Sequence, residues 1–163
     1  MKLFQKNDLS KSKPTITKLL DNIEASKIKS VTNLFLEANS NDIDIFQIGS
    51  SNSISNKYFV KTQSRKFFLK CKSNKFDSNT FFRESKISEF LKLKGMNVPN
   101  VIKMGNGDYG CSLYERHWIL FDFIIGDHFT GVGKEIDSVS NTFGKLTKVL
   151  TYYSEKSPKI NDK

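Results

Sequence analysis

The chain has 163 residues, of which 37% are hydrophobic and 26% are charged, and it contains 14 Phe. This length and composition predict one folded domain with a packed core and argue against a disordered tail. The formal net charge of +9 favours acidic partners such as nucleotides, nucleic acid or anionic lipid. The lysines are spread over the whole sequence, however, and a general bias toward Lys, Asn, Ile and Phe explains the excess better than an adapted surface does.

The cysteines and the amino terminus indicate where the protein works. Cys71 and Cys111 are the only cysteines, and neither belongs to a CxxC motif or a Cys/His cluster. We therefore expect neither a zinc site nor a disulfide framework, and a reduced, cytoplasmic setting fits. The amino terminus lacks the apolar core of a signal peptide, and no run of about 18 apolar residues occurs. Neither export nor a membrane partner is expected.

The first part of the chain is predicted to be helical. Pro14 suits the first turn of a helix whose apolar residues continue at helical spacing to Ile23. A second helical run begins at Ile28 and keeps one apolar face until the polar cluster 39–42 ends the pattern. We assign residues 1–40 to an amino-terminal helical segment.

Residues 41–126 are predicted to form an α+β lobe in which one helix packs on a five-stranded antiparallel sheet. Alternating or continuous apolar runs separated by polar turns indicate the strands. The strands are expected around residues 43–48, 58–60, 66–71, 98–102 and 118–125. Residues 77–80 offer N-cap side chains for the helix, which should end near Gly95.

A last helix is predicted over residues 136–153. Its apolar residues fall at steps of three and four along the sequence. They are Val139, Phe143, Leu146 and Leu150. We assign residues 127–163 to a linker helix that leads out of the lobe.

Several motifs stand in the order that a phosphate-binding lobe requires, namely a loop, a strand ending in lysine, a helix with an early Glu, and an apolar strand ending in Gly. In sequence they are the run from Gly49 to Val60 followed by FFLK, then ESKISEFLKLKGMNVPNVI, LFDFIIG and TFGKLTKVL. Over about residues 43–152 they resemble the nucleotide loop, third strand, next helix, hinge and following helix of aminoglycoside phosphotransferases, choline kinases and homoserine kinases. The resemblance implies a protein-kinase-like amino-terminal lobe that binds ATP.

The resemblance also implies roles for two charged residues. Lys70 would contact the α and β phosphates of ATP, and Glu84 would orient Lys70. Glu89 is a rival carboxylate on the same helix, but it lies five residues further on and should point elsewhere. A solvated lysine at a strand end and an exposed helix carboxylate remain the alternatives.

The polar loop is the third part of the implied site. Its backbone amides and hydroxyls would line the triphosphate. The residues concerned are Gly49, Ser50, Ser51, Ser53 and Asn56. The loop has one glycine rather than a GxGxxG motif, so an ordinary hairpin loop is an equal alternative.

The apolar strand near residue 121 is the implied hinge. Asp122 and Ile124 would offer backbone groups to adenine, and Phe121 and Phe123 would border the base pocket. A strand buried in the core would have the same sequence, so that alternative also stays open.

No catalytic or metal-binding residue is predicted in this chain. Asp108-Tyr109-Gly110 resembles the Asp-Phe-Gly motif of kinases but lies before the hinge in a Gly-rich turn, and Gly126-Asp127-His128 has the catalytic-loop residues in scrambled order. The resemblance implies that the catalytic Asp and the ligands of Mg²⁺ belong to a carboxyl-terminal lobe. We therefore expect this chain to bind ATP without transferring phosphate, and to pair with that lobe or to self-associate.

Two other hypotheses remain. In the first, the chain is folded as a kinase lobe but serves as a non-catalytic interaction module without nucleotide affinity. In the second, the chain is a basic nucleic-acid-binding domain, for which Phe59, Phe67 and Phe68 would supply stacking surfaces. This last hypothesis is the weakest, and we do not expect nucleic acid as the partner.

Overall fold

The structure is a computed structural model that describes residues 16–18, 22–36, 42–48, 55–124 and 133–156. It has an α+β fold in which helices flank an antiparallel sheet. In chain order the elements are β1 (Ile16–Lys18), α1 (Asn22–Leu36), β2 (Asp44–Ile48), β3 (Ser55–Lys61), β4 (Lys66–Ser73), α2 (Ser78–Leu93), β5 (Val101–Ile102), β6 (Cys111–Leu113), β7 (Arg116–Asp122) and α3 (Lys134–Lys156).

The sheet runs in the order β1-β2-β3-β4-β7-β5, and every pair is antiparallel. Strand β6 also pairs with β7, with Cys111 opposite Trp118, while β5 pairs with the other end of β7, with Val101 opposite Phe121. Two short strands therefore share one edge of β7. The predicted antiparallel α+β fold is confirmed, and β1 and β6 are additions to the five predicted strands.

The prediction of a helix from Pro14 onward is wrong at Ile16–Lys18. These residues form β1, which extends the sheet beyond β2. Ile16 and Thr17 are β-branched, which favours a strand once an unpaired sheet edge is available. The apolar run from Ile28 is helical as predicted, within a helix that already begins at Asn22.

One face of the sheet, which we call the α1 face, is covered by α1. Its core joins apolar residues of the helix to alternate residues of the strands, because successive strand side chains point to opposite faces. The buried members are Ile28, Val31, Phe35, Ile43, Tyr58, Val60, Phe67, Leu69, Cys71, Trp118 and Leu120. This continuous apolar layer is the main core of the described residues.

The opposite face, which we call the α2 face, carries a smaller cluster beneath α2. Phe81, Ile119 and Phe121 are buried there, and Phe68 and Phe82 pack against them. The remaining positions of this face on β3 and β4 are half-buried or exposed. The α2 face is thus only partly covered.

The ends of α2 agree with the predicted signals. The Asp77 carboxylate accepts the amide N–H of Asn79 at 3.2 Å and of Thr80 at 2.7 Å, which caps the first turn. At the other end Gly95 has a φ of 74°, a conformation that glycine adopts at little cost. The Gly95 amide donates a hydrogen bond to the Lys92 carbonyl, and the Met96 amide donates one to the Leu91 carbonyl. These two bonds close the helix in a Schellman motif.

Helix α3 touches the rest of the protein through its last turns. Phe90 of α2 stacks with Tyr152 at 6.3 Å between ring centroids and meets Tyr153 at 4.8 Å. Nearer its start, α3 leaves Ile136, Val139 and other apolar side chains exposed. None of the described helices combines the length and apolar character that crossing a membrane requires.

Candidate functional site

Lys70 and Glu84 meet on the α2 face. In β4, Phe67, Leu69 and Cys71 point to the α1 face, so Lys70 points toward α2. Its Nζ donates a hydrogen bond to Oε2 of Glu84, which lies in the second turn of α2. The structure thus brings together the two residues for which the sequence predicted a shared site. The role of Lys70 toward phosphate stays a prediction.

A second lysine belongs to the same cluster. Lys72 lies two residues beyond Lys70 on the same face, and its Nζ is 3.5 Å from Oε1 of Glu84. The ring of Phe81 lies beneath both ammonium groups, with centroid distances of 5.9 Å to Lys70 and 5.7 Å to Lys72. Glu84 therefore bridges two cations. Lys72 was not predicted as a site residue, although the two-residue period of a strand places it beside Lys70.

Strand β3 brings a third lysine to this face. Lys57 lies directly opposite Lys70 in the antiparallel pairing of β3 with β4, and its side chain is exposed. Lys57, Lys70 and Lys72 share the α2 face, and the Glu84 carboxylate contacts Lys70 and Lys72. We call these four residues the lysine cluster.

Asn56, which was predicted to belong to the nucleotide loop, is the second residue of β3. Its side chain is buried on the α1 face, where Nδ2 donates to Tyr58 Oη at 3.3 Å. Because neighbouring strand residues point to opposite faces, Asn56 cannot share the face of Lys70, and Lys57 takes that place. The other predicted loop residues, Gly49, Ser50, Ser51 and Ser53, lie outside the described residues.

Aromatic side chains lie on the α2 face two residues along the strands from the lysines. Phe59 is opposite Phe68, and its ring centroid is 6.1 Å from that of Phe46 and 4.9 Å from that of Phe123. These four rings are half-buried, so part of each stays open to a ligand. We call Phe46, Phe59, Phe68 and Phe123 the aromatic row. The predicted base-pocket residue Phe123 belongs to it.

The other predicted hinge residues are more constrained than expected. Phe121 is buried against Phe68, at 6.5 Å between centroids. The Asp122 carboxylate accepts hydrogen bonds from Arg65 at 2.6 Å and from Asn100 Nδ2 at 2.9 Å. The Asp122 amide donates to the Asn100 carbonyl at 2.9 Å, so that N–H is already used. Ile124 is 43% exposed, and its contact with adenine stays a prediction.

The rival carboxylate, Glu89, faces a different part of the protein. Lys103 Nζ is 2.7 Å from its Oε1, and the Tyr109 hydroxyl donates to its Oε2. The hydrogen bonds from Lys103 and Tyr109 hold the pKa of Glu89 below its usual value. Glu89 is therefore engaged with the β5–β6 side of the protein, as its position on the helix predicted.

Of the two sequence motifs that resemble catalytic motifs, one lies within the described residues and the other lies outside them. Asp108 lies in the predicted turn, where its amide donates to Asn106 Oδ1 at 3.0 Å and Gly107 has a φ of 86°. Asp127 and His128 lie outside the described residues. Within the part of the chain that the structure describes, no three His, Cys, Asp or Glu side chains come together as metal ligands.

His117 has a structural role. It is buried on the α2 face. Its Nε2 lies 3.0 Å from the carbonyl of Phe76, which fits a donating N–H, and Nδ1 lies 2.7 Å from Ser112 Oγ and accepts from that hydroxyl. Both ring nitrogens are thus engaged within the protein.

A separate cavity lies away from the lysine cluster. It has a volume of about 350 Å³ and is lined mainly by charged and polar side chains of α1 and of the β6–β7 hairpin, among them Lys27, Glu115 and Arg116. Its lining mixes both signs of charge, so it does not select one class of ligand. The lysine cluster and the aromatic row are the better candidate site.

Comparison with known proteins gives little further guidance. No protein-family model matches the sequence, and no curated protein matches it. Among solved structures, that of spectinomycin phosphotransferase APH(9)-Ia in complex with ADP and spectinomycin is similar, with a TM-score of 0.49 and 18% sequence identity. The match covers 72% of this chain and 33% of that one. A likeness at this level assigns neither a family nor a function.

Proposed function

We propose that this chain is the ATP-binding, amino-terminal lobe of a small-molecule kinase of the aminoglycoside phosphotransferase, choline kinase and homoserine kinase type. The observation that carries the proposal is the contact between Lys70 on β4 and Glu84 on α2. A carboxylate that holds a lysine in place creates a fixed cation, and phosphate groups bind such a cation favourably. The order of motifs in the sequence supports the same function.

The residues around this contact fit a nucleotide. The lysine cluster supplies positive charge for the phosphates, and the aromatic row supplies half-open rings for a base. Base–aromatic stacking contributes about 1–3 kcal/mol per base and tolerates any base. The rings lie two strand residues from Lys57 and Lys70, about 7 Å away, so base and phosphates would lie side by side along the strands. ATP would supply the phosphoryl group, and the resemblance assigns the ligands of Mg²⁺ to a carboxyl-terminal lobe.

Isothermal titration calorimetry with ATP and Mg²⁺ tests the proposal. Wild-type protein should bind ATP, and Lys70→Ala should weaken binding about tenfold or more, since a charge-assisted hydrogen bond is lost. Glu84→Gln should weaken it less, because the lysine remains but loses its anchor. Lys61→Ala is the matched control, since Lys61 is exposed on the same face of β3 at the end remote from Lys57, and it should bind ATP as the wild type does.

Two results would overturn the proposal. If the wild type shows no heat of binding with ATP, the chain is better explained as an interaction module. If single-stranded oligonucleotides bind more tightly than ATP at equal ionic strength, the aromatic row and the lysine cluster serve nucleic acid instead.

The exposed side of α3 supports the further proposal that a second lobe of the kinase packs on this helix. Ile136, Val139 and Phe143 are 49%, 47% and 68% exposed and lie at helical spacing. Exposed apolar stripes of this kind mark contact surfaces. Without that lobe, the chain should self-associate through the stripe. Sedimentation velocity should show oligomers that disappear in Val139→Ser/Phe143→Ser, and a monomeric wild type at high concentration would contradict this proposal.

A further inference from the structure

We propose that Lys57 is a second phosphate-binding residue of the same site, and that it makes the site selective for nucleotides with a long phosphate chain. The inference rests on the proposed function, since it assigns a specificity-determining residue to the nucleotide site. Neither the motifs of the sequence nor the predicted loop contacts pointed to Lys57. The pairing of β3 with β4 does.

The geometry places two ammonium groups over one patch of the sheet. Lys57 and Lys70 are direct cross-strand partners, and both point to the α2 face. Directly opposite residues of an antiparallel pair have Cβ atoms about 4.5–5.5 Å apart. Both side chains can therefore reach one ligand group above the sheet.

Among the described residues of this patch, the three lysines outnumber the single carboxylate of Glu84. Like charges directly opposite each other on a sheet repel. The Glu84 carboxylate is shared by Lys70 and Lys72. Among the residues that the structure describes, no ion pair reaches Lys57. An anion with two or more negative charges would supply what is missing.

The neighbouring rows indicate how such an anion would lie. Three cross-strand pairs on this face follow one another toward the start of β3. The first is Phe59 with Phe68, the second is Lys57 with Lys70, and the third is Ser55 with Lys72. Each step of two residues is about 7 Å. Because Lys70 is the phosphate contact of the proposed function, a base on the aromatic rings would direct its phosphates over Lys57 and Lys70 and toward Lys72. Each added phosphate gains contact with more of the lysine cluster.

Calorimetry with AMP, ADP and ATP at one ionic strength tests the proposal. In the wild type, affinity should rise with each phosphate. In Lys57→Ala, affinity for ATP should fall about tenfold, affinity for AMP should change much less, and the ratio of the ATP to the AMP affinity should shrink. Lys57→Arg should keep most of this ratio, because the charge is kept. Lys61→Ala, on the same strand and face, should leave all three affinities unchanged.

The outcomes separate the two proposals. If Lys70→Ala loses ATP and Lys57→Ala binds all three nucleotides as the wild type does, the role of Lys57 is refuted and the proposed function stands. If the wild type binds no nucleotide, the proposed function fails, and inorganic tripolyphosphate then decides the role of Lys57. Tripolyphosphate binding that is lost in Lys57→Ala supports a polyphosphate site, and no binding, or equal binding by the variant, refutes it. Lys57 is exposed, so its variants should fold normally, and their urea midpoints check this.

Discussion

The two faces of the sheet are built from the same strands but have different properties. On the α1 face, alternate residues of β3, β4 and β7 are almost completely buried in one apolar layer under α1. On the α2 face, the cluster under α2 gives way to the half-open rings of the aromatic row and to the lysine cluster. Neighbouring residues of one strand therefore serve different purposes.

Strand β4 shows this division most clearly. Leu69 is 0% exposed, whereas the side chain of its neighbour Lys70 is 21% exposed and contacts a carboxylate. Because a strand sends successive side chains to opposite faces, a rigid apolar face can hold the charged face in position without sharing residues with it. The α1 face should determine stability, and the α2 face should determine binding.

The largest expected effect comes from Leu69→Ala. Removal of this fully buried side chain from the α1 face should lower the free energy of unfolding by about 2–5 kcal/mol, through lost burial and the cavity left behind. Urea denaturation followed by circular dichroism measures it. The fraction that remains folded should bind ATP with unchanged affinity.

Lys70→Ala, one residue further along β4, is the matched comparison. Its ion pair with Glu84 is partly exposed to solvent, so the loss in unfolding free energy should stay below about 1 kcal/mol. A loss as large as that of Leu69→Ala would mean that the α2 face is also essential for stability, and the division between the faces would be wrong.

Gly110→Ala should have the next largest effect, since Gly110 packs closely against β7 and α2. A Cβ at Gly110 would lie 2.2 Å from the Trp118 carbonyl oxygen and 2.6 Å from the Phe82 ring. The Phe82 ring can shift, but the backbone of β7 cannot do so freely, so we expect a loss of about 1–3 kcal/mol in urea denaturation.

Gly144→Ala is the control for Gly110→Ala. Gly144 lies in α3, and a Cβ there meets no atom within 4 Å. Because alanine favours the helix, this variant should gain about 0.5–1 kcal/mol if α3 unfolds together with the sheet. A Gly110→Ala protein as stable as the wild type would show that the β6–β7 edge is loosely packed.

Local signals explain why much of the α2 face was predictable from the sequence. The cap at Asp77, the stop at Gly95 and the two-residue period of β4 act over a few residues, and each has a defined side-chain or backbone cause. Together they were enough to place Lys70 opposite Glu84. The helix position of Glu89 likewise predicted that it faces away.

The features that the sequence did not predict depend on pairing between distant residues. Strand β1 forms because β2 offers an unpaired edge. Strand β6 is joined to β7 through Tyr114 and Glu115, whose φ values are 53° and 57°, and these residue types are not the Asn-Gly pair that signals such a turn. The direction of the Asn56 side chain is another such feature, because only the register of β3 against β4 shows that Lys57, and not Asn56, is opposite Lys70.

Asp77→Ala should have a smaller effect on stability than Gly110→Ala. It removes the acceptor for the amides of Asn79 and Thr80 at the start of α2, the helix that carries Glu84. We expect a lower urea midpoint than that of the wild type, with a smaller loss than Gly110→Ala causes. Asp77→Asn should restore most of the loss, since an asparagine oxygen also caps helices well.

The dependence of this effect on pH distinguishes the cap from a general loss of packing. Hydrogen bonds from the Thr80 side chain and amide lower the pKa of Asp77 from its ordinary value of 3.8. A lowered pKa in the folded state means that the stabilisation is fully present above the pKa of the unfolded chain and is lost as the pH falls through the folded value. The gap in unfolding free energy between wild type and Asp77→Ala should therefore be constant from pH 7 to about pH 5 and should shrink below pH 3.8. A gap that keeps its full size at lower pH would show that the ionised carboxylate is not what stabilises the start of α2.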